Sequence, residues 1–241
     1  MIIGGLEKLT LLDYPDHLAA IIFTQGCNFR CHFCYNPMLV LPLTGEDLKN
    51  KKEKGFSPLS TEDLFLFLKE RFGRLEGVVI TGGEPTMHPD LPSFIKQIKD
   101  IGYLVKLDSN GTNPEMLEEL IKEKLVDYIA MDLKAPLDKY KETTGVKLDY
   151  NNIKKSVRII TESGLPYEFR TTVVPGLLVQ EDFEKMGELI KGSDKWYLQN
   201  FKSDTDLVDQ NYKQQKGYTA KDMKEFAAIG RKYVKLCEVR G

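Results

Sequence analysis

The 241-residue sequence holds only three histidines, one tryptophan and four cysteines. So few cysteines exclude a disulfide framework spread over the chain, and three of the four stand close together, as in a metal site of a reducing compartment. No apolar run approaches the roughly 20 residues of a membrane span. Residues 1–20 also lack the basic-then-apolar order of a signal peptide, so a cytoplasmic protein with no membrane partner is expected. Neither sign of charge is in excess, because 34 Lys and Arg stand against 36 Asp and Glu for a formal net charge of -2. Sequence-independent binding of nucleic acid, which needs clustered cations against phosphates, is therefore not the main task. No internal repeat, low-complexity tract or linker interrupts the chain, and a single domain over residues 1–241 is expected.

What is present is a regular alternation of two periods. Ala19–Thr24 (AAIIFT) is a continuous apolar run, the sign of a strand covered on both faces. Further strands are predicted over 77–81, 103–107, 128–133, 167–174 and 196–200, with a short terminal strand over 234–239. Helices fall between them. Ser60, with Asp63 three residues on, opens one that Gly73 ends; Gly102 closes the next; Asn113 and Pro114 read as N-cap and N1 of a third; Thr219 caps the last. The lysine-rich KNKKEKG inside 39–57 reads as a solvated excursion. Strands separated by helices imply a parallel sheet built through right-handed crossovers. A full eight-unit barrel takes about 250 residues. With about six βα units, the expected class is α/β, an incomplete TIM-type barrel that binds ligands at its strand ends.

Polar residues gather at those ends. The first strand runs into FTQGCNFRCHFCYNP, where Cys27, Cys31 and Cys34 have the spacing CxxxCxxC. The second ends in Gly82, Gly83 and Glu84, the third in Asp108, Ser109 and Asn110, and the fourth in Asp132, Leu133 and Lys134. Arg170 lies on the fifth strand and Gln199 ends the sixth. Three cysteines without a second pair do not make a four-ligand zinc site. Tightly spaced thiolates also hold iron and sulfur, and three of them leave one iron of a [4Fe-4S] cluster open to a substrate. Cys237 is an alternative fourth ligand, which would make the chain a metal-binding or electron-transfer module; the plainer reading is a small apolar filler. Glycines 82 and 83 allow close approach of backbone, and Glu84 is an acceptor suited to an ammonium. Asp132 and Lys134 alternate along a strand end and point to one side. Arg170 either binds a carboxylate or pairs with Glu168 or an Asp, and Trp196 reads as core.

CxxxCxxC with Phe33 before the last cysteine, after a first strand, and GGEP after a second, resembles the radical S-adenosylmethionine enzymes. The resemblance implies a [4Fe-4S] cluster on Cys27, Cys31 and Cys34 whose open iron chelates S-adenosylmethionine. One-electron cleavage then yields methionine and a 5'-deoxyadenosyl radical. More narrowly, LLDYPDHLAAIIFTQGCNFRCHFCYNP with DSNG, MDLK and FRTTVVPG is similar to glycyl radical enzyme activating proteins, above all those of anaerobic ribonucleoside-triphosphate reductase. That implies hydrogen abstraction from a glycine of a partner glycyl radical enzyme, with flavodoxin or ferredoxin as electron donor. It also implies cofactor contacts from Gly82, Gly83, Glu84, Asp108, Ser109, Asn110, Asp132, Arg170 and Gln199, with Lys134 near the cofactor and target peptide as the catalytic residue. A monovalent cation at Asp108, Ser109, Asp132 and the Leu133 carbonyl is implied as well. Asp16 stands where the family often has Gly, and Tyr35 where it has His. The alternative within the same chemistry is a small-molecule enzyme resembling 7-carboxy-7-deazaguanine synthase.

Overall fold

A computed structural model describes residues 1–40, 59–204 and 206–240, and almost all of the excursion expected over 39–57 lies outside the described residues. Two compact units divide the chain. The first comprises Met1–Asn28, Met38–Asp108 and Glu119–Tyr128, and the second Phe29–Pro37, Ser109–Glu118 and Ile129–Gly241.

In the first unit β1 (Ile3–Thr10) runs antiparallel to β2 (Ala19–Thr24), while β2, β3 (Gly77–Gly82) and β4 (Leu104–Ser109) are parallel neighbours. Tyr14, in the loop between β1 and β2, packs into a cluster with Ala19, Ile21, Val79 and Tyr128. The β3 residue beside it is Gly77, where a Cβ would strike the Tyr14 ring. Asp16 in the same loop has φ of 66°, the left-handed region that suits glycine and that Asp tolerates better than most residues. Helix α1 (Thr61–Arg71) starts as its sequence predicts, with the Ser60 hydroxyl accepting from the Asp63 N–H at 3.0 Å. Helix α2 (Leu91–Ile101) buries Leu91, Phe94, Ile95 and Ile98 along one stripe and ends at Gly102 with φ of 112°. Each such side chain contributes roughly 1.5–3 kcal/mol when fully buried.

Helix α3 (Pro114–Lys122) begins with Asn113 Oδ1 accepting from the Met116 N–H at 3.2 Å. In the second unit β5 (Tyr128–Asp132), β6 (Tyr167–Val173), β7 (Lys195–Asn200) and β8 (Leu236–Arg240) are parallel neighbours in that order. They alternate with α4 (Tyr140–Thr144), α5 (Tyr150–Glu162), α6 (Gln180–Leu189) and α7 (Ala220–Gly230). Thr219 and Asp222 form the capping box of α7. Trp196 is fully buried, as expected of a core residue, near Phe183, which stacks on Phe226 at 4.5 Å between centroids.

One element departs from the sequence-based expectation. IGGLEKLT lacks strand periodicity, yet it forms β1 because the edge of β2 supplies its hydrogen-bond partners, with register shifts between Ile3 and Gly5 and between Glu7 and Thr10. The terminal strand expected over 234–239 forms as β8, so the three parallel strands of the first unit and the four of the second are the six expected strands and that terminal one. Among the described residues no helix is long and apolar enough to cross a membrane.

Candidate functional site

The first unit carries Cys27 and the GGEP segment. Beyond β2 the Gly26 N–H donates to the Leu39 carbonyl at 2.7 Å and the Cys27 N–H to the Val40 carbonyl at 3.2 Å, so the helical turn Pro37–Val40 holds the start of the cysteine loop. From the end of β3 the Gly83 N–H donates to the Thr24 carbonyl and the Glu84 N–H to the Gly26 carbonyl, each at 2.8 Å. Gly82 has φ of 110°, and a Cβ on Gly82 or Gly83 would strike the backbone of Thr24 or Gly26. The close approach that these glycines permit is thus one between two stretches of this chain. Glu84 is buried, and its Oε1 accepts from the Thr86 N–H at 3.1 Å, capping the turn Pro85–Met87. Asp108, at the end of β4, lies 3.7 Å from Nζ of Lys106. Lys106 is itself buried, donates to the Asp13 carbonyl, and sits 5.3 Å from the centroid of Tyr128. Sequence reasoning missed Lys106; its one signal is a charged residue inside the apolar run YLVKL.

The second unit carries Cys31 and Cys34. The Cys34 N–H donates to the Cys31 carbonyl at 3.1 Å, making a tight turn, and the Arg30 N–H donates to the Thr144 carbonyl at the end of α4 at 2.8 Å. At the end of β5 both oxygens of Asp132 meet cations: Arg170 Nε donates to Oδ1 and Lys134 Nζ to Oδ2, both at 2.9 Å. Burial by itself would raise the Asp132 carboxyl, but Arg170 and Lys134 outweigh it and hold it well below the usual carboxylate range. Burial likewise disfavours the Lys134 ammonium, and Asp132 together with the sulfurs of Cys31 and Cys34 overcomes that and raises it above the ordinary lysine value. The Lys134 N–H donates to the Tyr140 hydroxyl at 3.2 Å. The Leu133 carbonyl accepts from the Thr171 hydroxyl at 2.8 Å, which in turn accepts from the indole N–H of Trp196 at 2.9 Å.

Ser109 and Asn110 are buried and organise their own turn. Ser109 Oγ accepts from the Gly111 N–H at 3.1 Å and Asn110 Oδ1 from the Thr112 N–H at 3.0 Å. Gln199 stands on β7 in register with Thr172 and Arg240, outside the Arg170–Asp132–Lys134 chain. Of the two pairings open to Arg170, the one formed is with Asp132. Glu168 is held by Arg240 through two hydrogen bonds of 3.0 and 3.2 Å, a partner that sequence reasoning did not supply.

The donor set suits a cluster better than a single ion. Cys27, Cys31 and Cys34 form no disulfide, and among the described residues no three His, Cys, Asp or Glu groups are gathered as one metal ion requires. A cubane instead takes one thiolate per iron. Cys237 is sealed against Trp196 and Gly230, and burial pushes its thiol up to about 12. It is an apolar filler.

Residues 21–190 match the family model described as the Radical SAM superfamily. A protein of Methanocaldococcus jannaschii, provisionally named a glycyl-radical enzyme activating enzyme, is 32% identical over 244 residues, covering 99% of this chain and 95% of its own. The pyruvate formate-lyase-activating enzyme of Streptococcus mutans is 28% identical over 201 residues, covering 79% of this chain and 72% of its own. The solved structure of SuiB from Streptococcus suis bound to S-adenosylmethionine aligns with a TM-score of 0.66 at 16% identity, over 92% of this chain and 50% of that one. The likeness shows the fold, and the α/β class expected from the sequence, a partial TIM-type barrel, is the one adopted. With a family model matched across most of its length and a relative aligned nearly from end to end, the chain belongs to the radical SAM superfamily, among the relatives of its glycyl-radical activating enzymes.

Proposed function

We propose that this radical SAM enzyme takes a hydrogen atom from a backbone glycine of a partner glycyl radical enzyme. Its family implies a [4Fe-4S] cluster and S-adenosylmethionine, and the cluster's ligands in this reading are Cys27, Cys31 and Cys34. When bound, the cluster and S-adenosylmethionine would supply a reductively generated 5'-deoxyadenosyl radical with methionine as co-product, and transfer of the glycine hydrogen to it would give 5'-deoxyadenosine and a glycyl radical.

The chain's own part is binding and orientation. Lys134 is the catalytic residue of this reading, a fixed cation beside cofactor and target peptide. Asp132 aims it, and Arg170 aims Asp132. Gly82, Gly83, Glu84, Asp108, Ser109, Asn110 and Gln199 complete the contacts proposed for S-adenosylmethionine. A monovalent cation at Asp108, Ser109, Asp132 and the Leu133 carbonyl shares Asp132 with two side-chain cations, so its effect is a modest tightening of S-adenosylmethionine binding. The cytoplasm, a reducing compartment, suits cysteines that form no disulfide, and residues 1–241 act as one domain.

The observation that carries the reading is the Arg170–Asp132–Lys134 chain, whose lysine lies in the field of Cys31 and Cys34. It ties the MDLK strand end to the cysteine motif, in a chain that covers 95% of a relative named for glycyl-radical activation. The partner in this proposal is an anaerobic ribonucleoside-triphosphate reductase, and flavodoxin or ferredoxin delivers the electron. The test is anaerobic reconstitution followed by mixing with reductant, S-adenosylmethionine and that reductase. A glycyl radical signal in electron paramagnetic resonance is expected. Cleavage of S-adenosylmethionine that responds to a small molecule and never yields a protein radical overturns the reading in favour of the small-molecule alternative.

A further inference from the structure

The turn from Cys31 to Cys34 belongs to no strand or helix, yet a cluster needs its ligands held within narrow limits. A segment far along the chain is hydrogen-bonded to this turn. The Val208 N–H donates to the Cys34 carbonyl at 3.2 Å, and the Asp209 N–H to the His32 carbonyl at 3.0 Å. Asp209 also caps the short helical turn Gln210–Gln214, its Oδ1 accepting from the Asn211 N–H at 2.9 Å, while Oδ2 lies 3.3 Å from Nδ1 of His32. From that helical turn Tyr212 stacks on His32, with centroids 5.9 Å apart and planes within 12°. Beside it the Tyr35 hydroxyl accepts from the Lys202 N–H at 2.9 Å, and its ring stacks on Phe201 at 6.2 Å. The segment is itself fastened, because Leu207 is buried and the Gln215 side chain donates to the Pro175 carbonyl.

We propose that residues 206–214 form a clasp in which Val208 and Asp209 are positioning residues for the ligands Cys31 and Cys34. The contacts named fall on the carbonyls and rings that alternate with the thiols, not on sulfur. The half-exposed His32–Asp209 pair contributes little in water. The two backbone hydrogen bonds, kept in place by the Asp209 cap and the Tyr212 stack, supply the restraint. A turn released from them samples more conformations, so each thiol meets solvent, and each sulfur–iron bond breaks, more often. Most of the buried core, around Trp196 and Tyr14, lies outside residues 206–214, so the fold is expected to survive loss of the clasp.

The cluster arm of the test rests on the function proposed above, and the thiol arm does not. Val208→Pro removes the N–H donated to Cys34, and Asp209→Ala removes the cap and the His32 contact. Asp206→Ala is the control, since it breaks only an exposed pair with Lys213 at 2.8 Å in the same segment. In the metal-free full chain, iodoacetamide alkylation of Cys31 and Cys34 is measured relative to Cys27. In the reconstituted protein, iron release to a chelator and the line shape of the reduced cluster's resonance are followed. Both variants are expected to alkylate Cys31 and Cys34, and to release iron, about five-fold faster, with an altered line shape and a melting temperature within about 2 °C of the parent. Asp206→Ala is expected to match the parent throughout. Unchanged ratios and release rates in both variants overturn the clasp. So does a uniform rise at Cys27, Cys31 and Cys34 with a lowered melting temperature. Should the parent chain take up no cluster at all, the functional reading falls and the alkylation ratio alone decides the clasp.

Discussion

Two ion pairs stand on one face of β6, two residues apart. Glu168 pairs with Arg240 at 3.0 Å, and Arg170 with Asp132 at 2.9 Å. Their chemistry is alike and their surroundings are not. The Glu168 side chain is 0% exposed, and Arg240 both grips it with two hydrogen bonds and lies 3.5 Å over the Tyr197 ring. Asp132 is 30% exposed and hands its second oxygen to Lys134, which feels Cys31 and Cys34. Arg240 is 35% exposed, but the Glu168 carboxylate has no access to water, so stripping Arg240 leaves a buried charge uncompensated and makes that pair an anchor. A pair open at one end orients the next group along and can be lost at smaller cost in stability.

The largest effect that separates them is on folding. Arg240→Ala is expected to lower stability by about 3 kcal/mol, read from denaturant unfolding of the metal-free chain, with cluster content per folded molecule unchanged. An equal loss in Arg170→Ala would erase the distinction. Next, Lys134→Met is expected to leave unfolding within about 1 kcal/mol of the parent while cutting glycyl radical formation about 100-fold, the size of a positioning defect. A variant that lost stability instead would make the open pair a second anchor. The smallest effect is in acid. A carboxyl held below its ordinary value gives stability that is present above that value and lost as pH falls beneath it. The parent should therefore lose about 1 kcal/mol more than Asp132→Asn between about pH 4 and 2, measured from unfolding midpoints at each pH. Parallel acid limbs for the two proteins would remove Asp132 as the charged partner.

Much of this molecule was legible locally. The caps at Ser60, Asn113 and Thr219 and the stop at Gly102 stand where their residue types demanded, since a cap answers to atoms three or four positions away. The run AAIIFT could only be a strand covered on both faces. β1 was not legible, because IGGLEKLT becomes a strand only once β2 offers it an edge. At the site, Asp132 and Lys134 were placed together by the alternation of a strand end. Their joining to Arg170 depended on the register of β5 against β6, and the partnership of Glu168 with Arg240 on the order of β6, β7 and β8.

The sequence by itself determined the chemistry: three thiols in CxxxCxxC with no second pair nearby, polar strand ends, and the order of strands and helices that presents them. These are properties of neighbouring residues, so they survive without knowledge of the fold. Tertiary structure decided how the groups are held. It turned Gly82 and Gly83 toward the chain's own backbone and buried Lys106 under Asp108. It laid Val208 and Asp209 across the cysteine turn. Those contacts join residues distant in sequence, and only the packing of strands and loops could choose among the partners that composition allowed.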